Sequence, residues 1–321
     1  MKRKGNFTRR TFLKAASALS ACAAIGVPSK GKAGANTQLT LLSELSRKTV
    51  AATQKTNLKL SCNLYSFNTP LSKRQITLEE VLEFCADAGF DAVDPTGYYF
   101  PNYPTVPDDT YIYKIRQKAY RLGLDISGTG MRNDFTLPDA QKRKAQVELV
   151  KKWTGFASRL GAPVLRVFSG PTLPKGYTEN EVTEWVVESL RECAEYGASQ
   201  GVMIVLQNHT DFIQTADQML GILSGVRSDW LAANLDTGSF QRGDPYAEIT
   251  KVAPYAASWL IKESVNINVK DQKLDLKRIV QIVRRVGYRG YLRIEALGDE
   301  DPRKKVPRFL DELKQAILSA S

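Results

Sequence analysis

The chain has 321 residues, of which 43% are hydrophobic and 25% are charged, and this composition describes an ordinary globular protein. Its formal net charge of +11 suggests nucleic-acid binding at first sight, but eight basic residues and no acidic residue lie within residues 1–35. Removing those eight charges leaves +3 for the rest of the chain, which excludes a strongly basic folded domain, and we expect no nucleic-acid partner.

The N-terminal residues have the pattern of an export signal. Two adjacent arginines, Arg9 and Arg10, precede the small and apolar run Ala15–Val27. A basic segment, a short apolar run and the small residues Ala33-Gly34-Ala35 are typical of a cleaved signal peptide, and the apolar run is too short to span a membrane. The arginine pair resembles a twin-arginine signal. We therefore interpret residues 1–35 as a twin-arginine signal peptide.

Two processing sites compete within this segment. Cleavage after Ala35 would release a soluble protein, whereas Leu19-Ser20-Ala21-Cys22 resembles a lipobox in which Cys22 becomes the lipid-bearing first residue. Under either alternative we expect export by the twin-arginine route to the periplasm or to the cell envelope, with membrane contact only through a lipid anchor at Cys22. Residues 36–57 predict a flexible lead-in. A basic, disordered N-terminus of a cytosolic protein is the alternative to a signal peptide.

After residue 57, apolar runs and amphipathic segments alternate regularly along the chain. The predicted strands are 58–67, 91–96, 125–128, 164–168, 202–206, 231–235, 258–263 and 290–296. The predicted helices are 77–89, 110–122, 139–160, 179–199, 215–226, 245–252, 274–286 and 306–318. Eight strand–helix units in about 265 residues predict an α/β fold, a (β/α)8 TIM barrel formed by residues 58–321 as a single domain. An open, doubly wound sheet is the structural alternative, but no GxGxxG turn follows the first strand.

Polar residues follow the apolar part of the last four predicted strands. The fifth strand runs into Gln207-Asn208-His209, which contains the only histidine of the chain, and the sixth runs into Asp236-Thr237-Gly238. Alternate residues of a strand share a face, and the carboxyl ends of barrel strands meet around one axis. We therefore expect one cavity to be surrounded by Gln207, His209, Asp236, Lys262 and Glu295.

The order of short motifs along these strands resembles that of the xylose-isomerase-like barrels, a family that includes sugar phosphate isomerases and ketose 3-epimerases. The resemblance runs from about Leu58 to the C-terminus, and it implies an isomerase or epimerase that acts on a small-molecule carbohydrate. The motifs that carry it are Gly89-Phe90-Asp91-Ala92-Val93, Arg166-Val167-Phe168-Ser169-Gly170, Asn208-His209, Leu235-Asp236-Thr237-Gly238, and Gly287-Tyr288-Arg289-Gly290-Tyr291 followed by Glu295.

The resemblance also implies one divalent metal (Mn, Mg, Co or Zn), which the family holds through Glu, Asp, His and Glu at the ends of strands five to eight. The matching positions in this chain are Gln207, Asp236, Leu260 and Glu295. Asp236 and Glu295 are metal ligands under this scheme, whereas two of the four ligands are absent. The apurinic endonuclease of the same fold needs a histidine-rich multi-zinc site, so one histidine excludes that function.

The catalytic residues that we predict are His209, Lys262 and Glu295, although a sole histidine beside Asn208 could equally hold a loop through hydrogen bonds. An amide at position 207 cannot take a proton from carbon, so His209 replaces the family's first glutamate as the base and Glu295 is the opposing acid. Lys262 stabilises an enolate oxygen. These roles predict proton transfer next to a carbonyl, as in isomerisation, epimerisation or elimination from a keto-sugar. The alternative is a barrel that has lost catalysis and serves as a carbohydrate-binding module.

Further residues at the strand ends are candidates for substrate binding. Tyr98 and Tyr99 follow the second strand and offer aromatic rings on which the C–H face of a sugar can stack, although they could equally form a hydrophobic plug. Asp134 follows the third strand, and Arg166 would bring a guanidinium to the rim for substrate oxygens or a phosphate. Gln207 and Asn208 complete this set. The sequence leaves a homo-oligomer open.

Overall fold

The computed structural model describes residues 58–209, 211–267 and 270–320, without the side chains of residues 266 and 267. The described residues fall within one structural unit, Thr56–Ser321. Within this part of the chain, no helix is both long enough and apolar enough to cross a membrane. The predicted signal peptide, the lipobox cysteine Cys22 and the predicted lead-in lie outside the described residues.

Parallel strands form a barrel in which the sequence neighbours are also spatial neighbours. The barrel strands are β1 (Lys59–Asn63), β2 (Ala92–Asp94), β3 (Asp125–Ile126), β4 (Thr129–Gly130), β5 (Val164–Val167), β6 (Met203–Gln207), β7 (Leu231–Asp236), β8 (Ala256–Lys262) and β11 (Tyr291–Glu295). Two further strands, β9 (Ser264–Ile267) and β10 (Lys270–Lys273), form a separate sheet. The sheet order is β3-β2-β1-β11-β8-β7-β6-β5-β4. Since only two residues separate β3 from β4, these are the halves of one barrel strand that pairs with β2 on one side and β5 on the other. The predicted (β/α)8 barrel is therefore confirmed.

The helices begin at residues whose side chains satisfy free backbone N–H groups. Every helix from α2 to α9 has an aspartate or a threonine at its N-cap, and that side chain accepts a backbone N–H of the first turn. Gly161 and Gly201 end α4 and α5 in the left-handed conformation. The helices are α1 (Asn68–Ser72), α2 (Leu78–Asp87), α3 (Asp109–Arg121), α4 (Ala140–Leu160), α5 (Glu179–Gln200), α6 (Ala216–Val226), α7 (Pro245–Val252), α8 (Leu276–Arg285) and α9 (Pro302–Ser319).

The interior of the barrel carries a polar network. Arg293 on β11 is 2% exposed, and its guanidinium donates to Asp94 Oδ2 at 2.8 Å and to Asn234 Oδ1. A Cβ atom on Gly128 would lie 2.7 Å from Arg293 Nη1, so the break between β3 and β4 leaves space for this guanidinium. Branched aliphatic side chains usually fill barrel interiors. The buried ion pair of Arg293 and Asp94 therefore occupies a part of the barrel interior, beneath the carboxyl ends of the strands, where aliphatic side chains are usual.

Three predicted segments differ from the observed ones. The predicted first strand is too long, because the Asn63 side chain accepts a hydrogen bond from Tyr65 N at 2.9 Å and starts a 3-10 turn at Leu64–Phe67. The predicted third strand, 125–128, is broken at Ser127 and Gly128. The segment after predicted strand seven contains an antiparallel hairpin, β9–β10, which apolar periodicity does not indicate because four consecutive residues of β10 are exposed.

Candidate active site

Two adjacent cavities open at the carboxyl ends of the barrel strands. The first has a volume of about 460 Å³ and the second about 570 Å³, and His209 and Glu295 line both. Lys262 lines the second cavity. The first is lined also by Tyr98, Arg132, Asp134, Arg166, Gln207 and Asp211. Four of the five predicted residues, Gln207, His209, Lys262 and Glu295, thus line two adjacent cavities, with His209 and Glu295 at their junction. The fifth, Asp236, is fully buried and lines neither cavity.

A lysine ammonium lies against two buried carboxylates at this junction. Lys262 Nζ contacts Glu295 Oε1 directly and lies 3.7 Å from Asp236 Oδ2. The side chains are 12%, 8% and 0% exposed for Lys262, Glu295 and Asp236. The contact follows from strand register, because Lys262 on β8 pairs with Glu295 on β11 and both side chains point to the same face. Gln207 Nε2 donates to Asp236 Oδ2 at 2.8 Å and completes the cluster.

The electrostatics of the cluster keep Lys262 charged. Burial lowers the pKa of Lys262, but the carboxylates of Asp236 and Glu295 outweigh it, and the net pKa lies above the ordinary 10.5. Burial raises the pKa of Glu295, and the neighbouring Asp236 carboxylate raises it further, against the opposing effect of Lys262. The cluster therefore combines a protonated amine with a carboxyl group that holds a proton more readily than glutamate does in water.

The donor set does not fit the divalent metal that the family resemblance implies. The ammonium of Lys262 contacts both carboxylates that would bind the ion, and the Gln207 amide presents its NH2 group rather than a carboxylate to Asp236. Leu260, at the position expected for histidine, is apolar and 3% exposed. Among the described residues, no three His, Cys, Asp or Glu side chains are arranged to hold a metal ion. The positive charge of Lys262 offsets part of the negative charge of the carboxylates and occupies the place where a cation would bind.

Asn208 holds Asp236 in place rather than lining a cavity. The side chain is fully buried, its Nδ2 donates to Asp236 O at 2.9 Å, and its Oδ1 accepts from Asp236 N at 2.9 Å. Gly238 N in turn donates to Asp236 Oδ1 at 3.0 Å. Because both amide atoms of Asn208 bond the backbone of the neighbouring strand, the predicted contact with substrate is replaced by a positioning role.

His209 stands at the junction of the two cavities as an exposed side chain whose ring packs against Phe168. The ring centroids are 4.7 Å apart in an edge-to-face arrangement. Surrounding protein lowers the pKa of His209 by removing water, and the charges of Arg166 and Lys262 lower it further, although the Asp236 carboxylate acts in the opposite direction. The imidazole is therefore neutral at neutral pH, which is the state that a proton acceptor requires.

Arg166 on β5 points into the first cavity from the barrel wall. Its Nη1 donates to the Tyr98 hydroxyl and to Met131 O, both at 2.9 Å. The guanidinium carbon lies 4.3 Å from the centroid of the Phe168 ring. Tyr98 lines the same cavity, so aromatic faces and a cation share this wall.

Two other predicted substrate-binding residues are engaged with the protein. The Tyr99 hydroxyl donates to Asn68 Oδ1 at 2.9 Å, and Tyr99 does not line either cavity in the described part of the chain. Asp134 lines the first cavity, but its Oδ1 accepts from Thr136 N at 2.9 Å and from Thr136 Oγ1 at 2.7 Å. The structure thus groups Asp134 with the site and leaves Tyr99 outside it.

Sequence reasoning missed Asp211, which lines the first cavity and is 8% exposed. Burial raises the pKa of its carboxyl to about 8, although a hydrogen bond from Ile213 N at 3.1 Å to Oδ1 opposes that rise. The only signal in the sequence is an acidic residue two positions after the sole histidine. A carboxyl that is protonated at neutral pH is a proton donor, so Asp211 adds a group that the sequence analysis lacked.

Several solved structures have the same fold as this chain. The D-psicose 3-epimerase of Clostridium cellulolyticum H10, solved with D-tagatose, is 16% identical, with a TM-score of 0.66 over 81% of this chain and 99% of that chain. The 3-keto-D-glucoside 4-epimerase of E. coli is 13% identical, with a TM-score of 0.65 over 80% and 99%. A xylose isomerase domain protein from Planctomyces limnophilus is 18% identical, with a TM-score of 0.63 over 82% and 98%.

The family of the chain follows from its sequence match rather than from these distant structures. No protein with curated function matches the chain in sequence. The model of the xylose isomerase-like TIM barrel family matches residues 82–315. That range contains Gln207, Asp236, Lys262 and Glu295, and it extends over most of the barrel. The chain therefore belongs to the xylose isomerase-like TIM barrel family.

Proposed function

We propose that this chain is a sugar isomerase or epimerase-like enzyme that transfers a proton at the carbon next to a carbonyl of a carbohydrate or keto-sugar derivative. The observation that carries the proposal is the meeting of His209, Lys262 and Glu295 at the junction of two cavities. The similarity in fold to the two sugar epimerases supports it. Elimination from a keto-sugar begins with the same proton transfer and belongs to the same class.

Each of the three side chains has a protonation state that suits its proposed step. Neutral His209 takes the proton from the carbon, and the ammonium of Lys262 donates a hydrogen bond to the carbonyl oxygen as negative charge develops there. Glu295, whose pKa is raised, exchanges a proton on the other side of the substrate. Lys262 thus supplies the positive charge that stabilises the developing oxyanion.

The aromatic rings of the first cavity support a carbohydrate as the ligand. Tyr65, Tyr98 and Phe168 line the cavity together with polar side chains. Sugars present C–H faces to aromatic rings and hydroxyls to polar groups, so a lining of this kind suits them.

Hydrogen–deuterium exchange at carbon tests the proposed function. The full-length protein is incubated in deuterated water with a panel of ketoses and keto-glycosides, and we expect carbon-bound deuterium in at least one of them. His209→Ala and Glu295→Gln should each slow the exchange by about 10²- to 10⁴-fold. Lys114→Met, at an exposed ion pair with Glu79, is the control and should leave the rate unchanged.

Absence of exchange across the panel would contradict the enzyme and favour a carbohydrate-binding module. Gln207 is the observation that favours this second function, because it stands where the family has a glutamate base. Binding of a sugar without exchange would then be the remaining activity, and calorimetry with the same panel would detect it.

We also propose that the protein is exported through the twin-arginine route and is periplasmic or lipid-anchored. The support is the sequence pattern of residues 1–35. Replacing Arg9 and Arg10 by lysines should retain the precursor in the cytoplasm of a host with this route, as measured by cell fractionation. Cys22→Ala should remove any lipid label without blocking export, and a label that persists would contradict an anchor at that residue.

A further inference from the structure

Arg166 is a buried guanidinium without a carboxylate partner. The residue is 7% exposed, and both of its hydrogen-bond acceptors, the Tyr98 hydroxyl and Met131 O, are neutral. Among the described residues, no Asp or Glu oxygen lies within ion-pair distance of it, and Nε and Nη2 have no hydrogen-bond partner there. Arg293, which is buried in the barrel interior, has Asp94 Oδ2 at 2.8 Å instead. Burial lowers the pKa of Arg166, but the Tyr98 hydroxyl and the more distant carboxylates of Asp94 and Glu295 outweigh it, so the guanidinium stays charged. Its Nε and Nη2 groups are thus free to bind a ligand in the cavity that they line.

The chain is built to hold the Arg166 guanidinium at this place. A Cβ atom on Gly130 would lie 2.6 Å from its Cζ, so only glycine on β4 leaves room for it. The Phe168 ring covers one face at 4.3 Å, and the Tyr98 ring centroid lies 5.6 Å away. Backbone space, stacking and two hydrogen bonds therefore fix the plane of the guanidinium against the first cavity.

The carboxyl groups that line the first cavity do not form an ion pair with Arg166 and are engaged elsewhere. The Oδ1 atom of Asp134 accepts two hydrogen bonds from Thr136, and Glu295 contacts Lys262. Asp211 is uncharged at neutral pH, because burial raises its pKa to about 8. A second cation, Arg132, is exposed in the cavity lining, 5.2 Å from the Tyr98 ring centroid. Two guanidinium groups thus line this cavity, and the one that the protein holds in place is that of Arg166.

We propose that Arg166 binds a carboxylate of the substrate, which makes the substrate an acidic sugar such as a uronate or its keto form. This inference rests on the proposed function, and it adds the substrate class. One buried guanidinium matches the single charge and planar fork of a carboxylate. A phosphate carries a charge of about −1.5 to −2, which is more than the single buried guanidinium supplies.

Calorimetric binding of matched sugars to the full-length protein tests this inference without requiring turnover. The probes are D-glucuronate and D-galacturonate, the methyl esters of both, D-glucose, D-galactose and D-glucose 6-phosphate. We expect a uronate to bind at least about 10-fold more tightly than its ester and its neutral sugar. Arg166→Met should weaken uronate binding by about 10- to 100-fold and leave the binding of the neutral sugars within about 2-fold.

Two further variants separate a specific contact from a general loss of structure. Arg278→Met removes an arginine that stacks on Tyr246 at 4.0 Å outside both cavities, and uronate binding should not change. Arg166→Lys keeps the charge but loses the planar fork, and it should restore part of the affinity lost in Arg166→Met. Thermal unfolding of each variant shows whether the barrel is intact, and Arg166→Lys serves alone if the methionine variant does not fold.

Four outcomes of the binding experiment would overturn the inference. Equal affinity for uronates and neutral sugars, an undiminished preference for uronates in Arg166→Lys or Arg166→Met, tighter binding of the 6-phosphate, or no binding of any uronate at millimolar concentration would each do so. The exchange experiment is read separately. Uronate binding that depends on Arg166, without deuterium exchange, would refute the proposed enzyme and leave the carboxylate site intact.

Discussion

Replacing Lys262 by methionine tests whether its ammonium neutralises the two carboxylates at the junction of the cavities. The side chain is 12% exposed, and those of Glu295 and Asp236 are 8% and 0% exposed, so their charges are poorly solvated. Methionine keeps most of the volume and removes the charge. Breaking a buried ion pair by removing one partner costs about 3–5 kcal/mol of unfolding free energy. We expect a loss of that size for Lys262→Met.

Urea unfolding at neutral pH measures this loss against a control within the same chain. Lys114 forms an ion pair with Glu79 at 2.7 Å, but its side chain is 61% exposed, so Lys114→Met should cost about 0–1 kcal/mol. The midpoints are compared at equal slopes, since a changed slope would mean that the unfolded or the native state has changed. If Lys262→Met costs no more than Lys114→Met, the ammonium does not neutralise the cluster and the reasoning is refuted.

A second arm of the same experiment uses Mn²⁺ as a probe. Without the ammonium, no positive charge lies between the carboxyl groups of Asp236 and Glu295, whose ionised forms attract a hard divalent cation. Millimolar Mn²⁺ should therefore raise the unfolding free energy of Lys262→Met and leave that of the wild type unchanged. Equal stabilisation of both proteins would show that a metal binds beside Lys262. The conclusion that the donor set does not fit a divalent metal would then be wrong.

Three further predictions concern pH, packing and metal removal. Because the pKa of Asp211 is raised from 3.8 to about 8, the native state holds a proton that the unfolded state has lost, and stability falls as pH rises between these values. Asp211→Asn should flatten that fall in urea unfolding from pH 5 to 8, and an unchanged slope contradicts it. Gly130→Ala places a methyl group 2.6 Å from Arg166 Cζ, so it should lower the unfolding free energy by about 1–3 kcal/mol and weaken uronate binding. Unchanged stability and unchanged binding would disprove the close approach. Chelation with EDTA should leave deuterium exchange unchanged, and a loss that Mn²⁺ restores would reverse the conclusion about the metal.

The fold and the position of the site could be predicted because they depend on local patterns. Apolar runs that end in polar residues mark the carboxyl ends of the strands, and the alternation along a strand places Lys262 and Glu295 on the cavity side. The N-cap threonines and aspartates mark helix starts, as at Thr77 and Thr178. These signals lie within a few residues of the feature that they predict.

The chemistry of the site could not be predicted in the same way, because it depends on distances between residues far apart in the chain. The sequence gives no sign that Lys262 contacts both carboxylates or that Arg166 lacks one. The raised pKa of Asp211 results from burial, which local polarity does not indicate. Asn208 and Tyr99 were candidates for binding because of their position, whereas their partners are Asp236 and Asn68.

The broken third barrel strand has a consequence for the evolution of the pocket. Gly128 leaves space for the guanidinium of Arg293, and Gly130 does so for that of Arg166. A larger residue at either position is compatible with the barrel only if the arginine opposite is lost. Among homologues, each glycine and its arginine should thus be inherited together, and we expect the second pair to occur in members that accept acidic sugars.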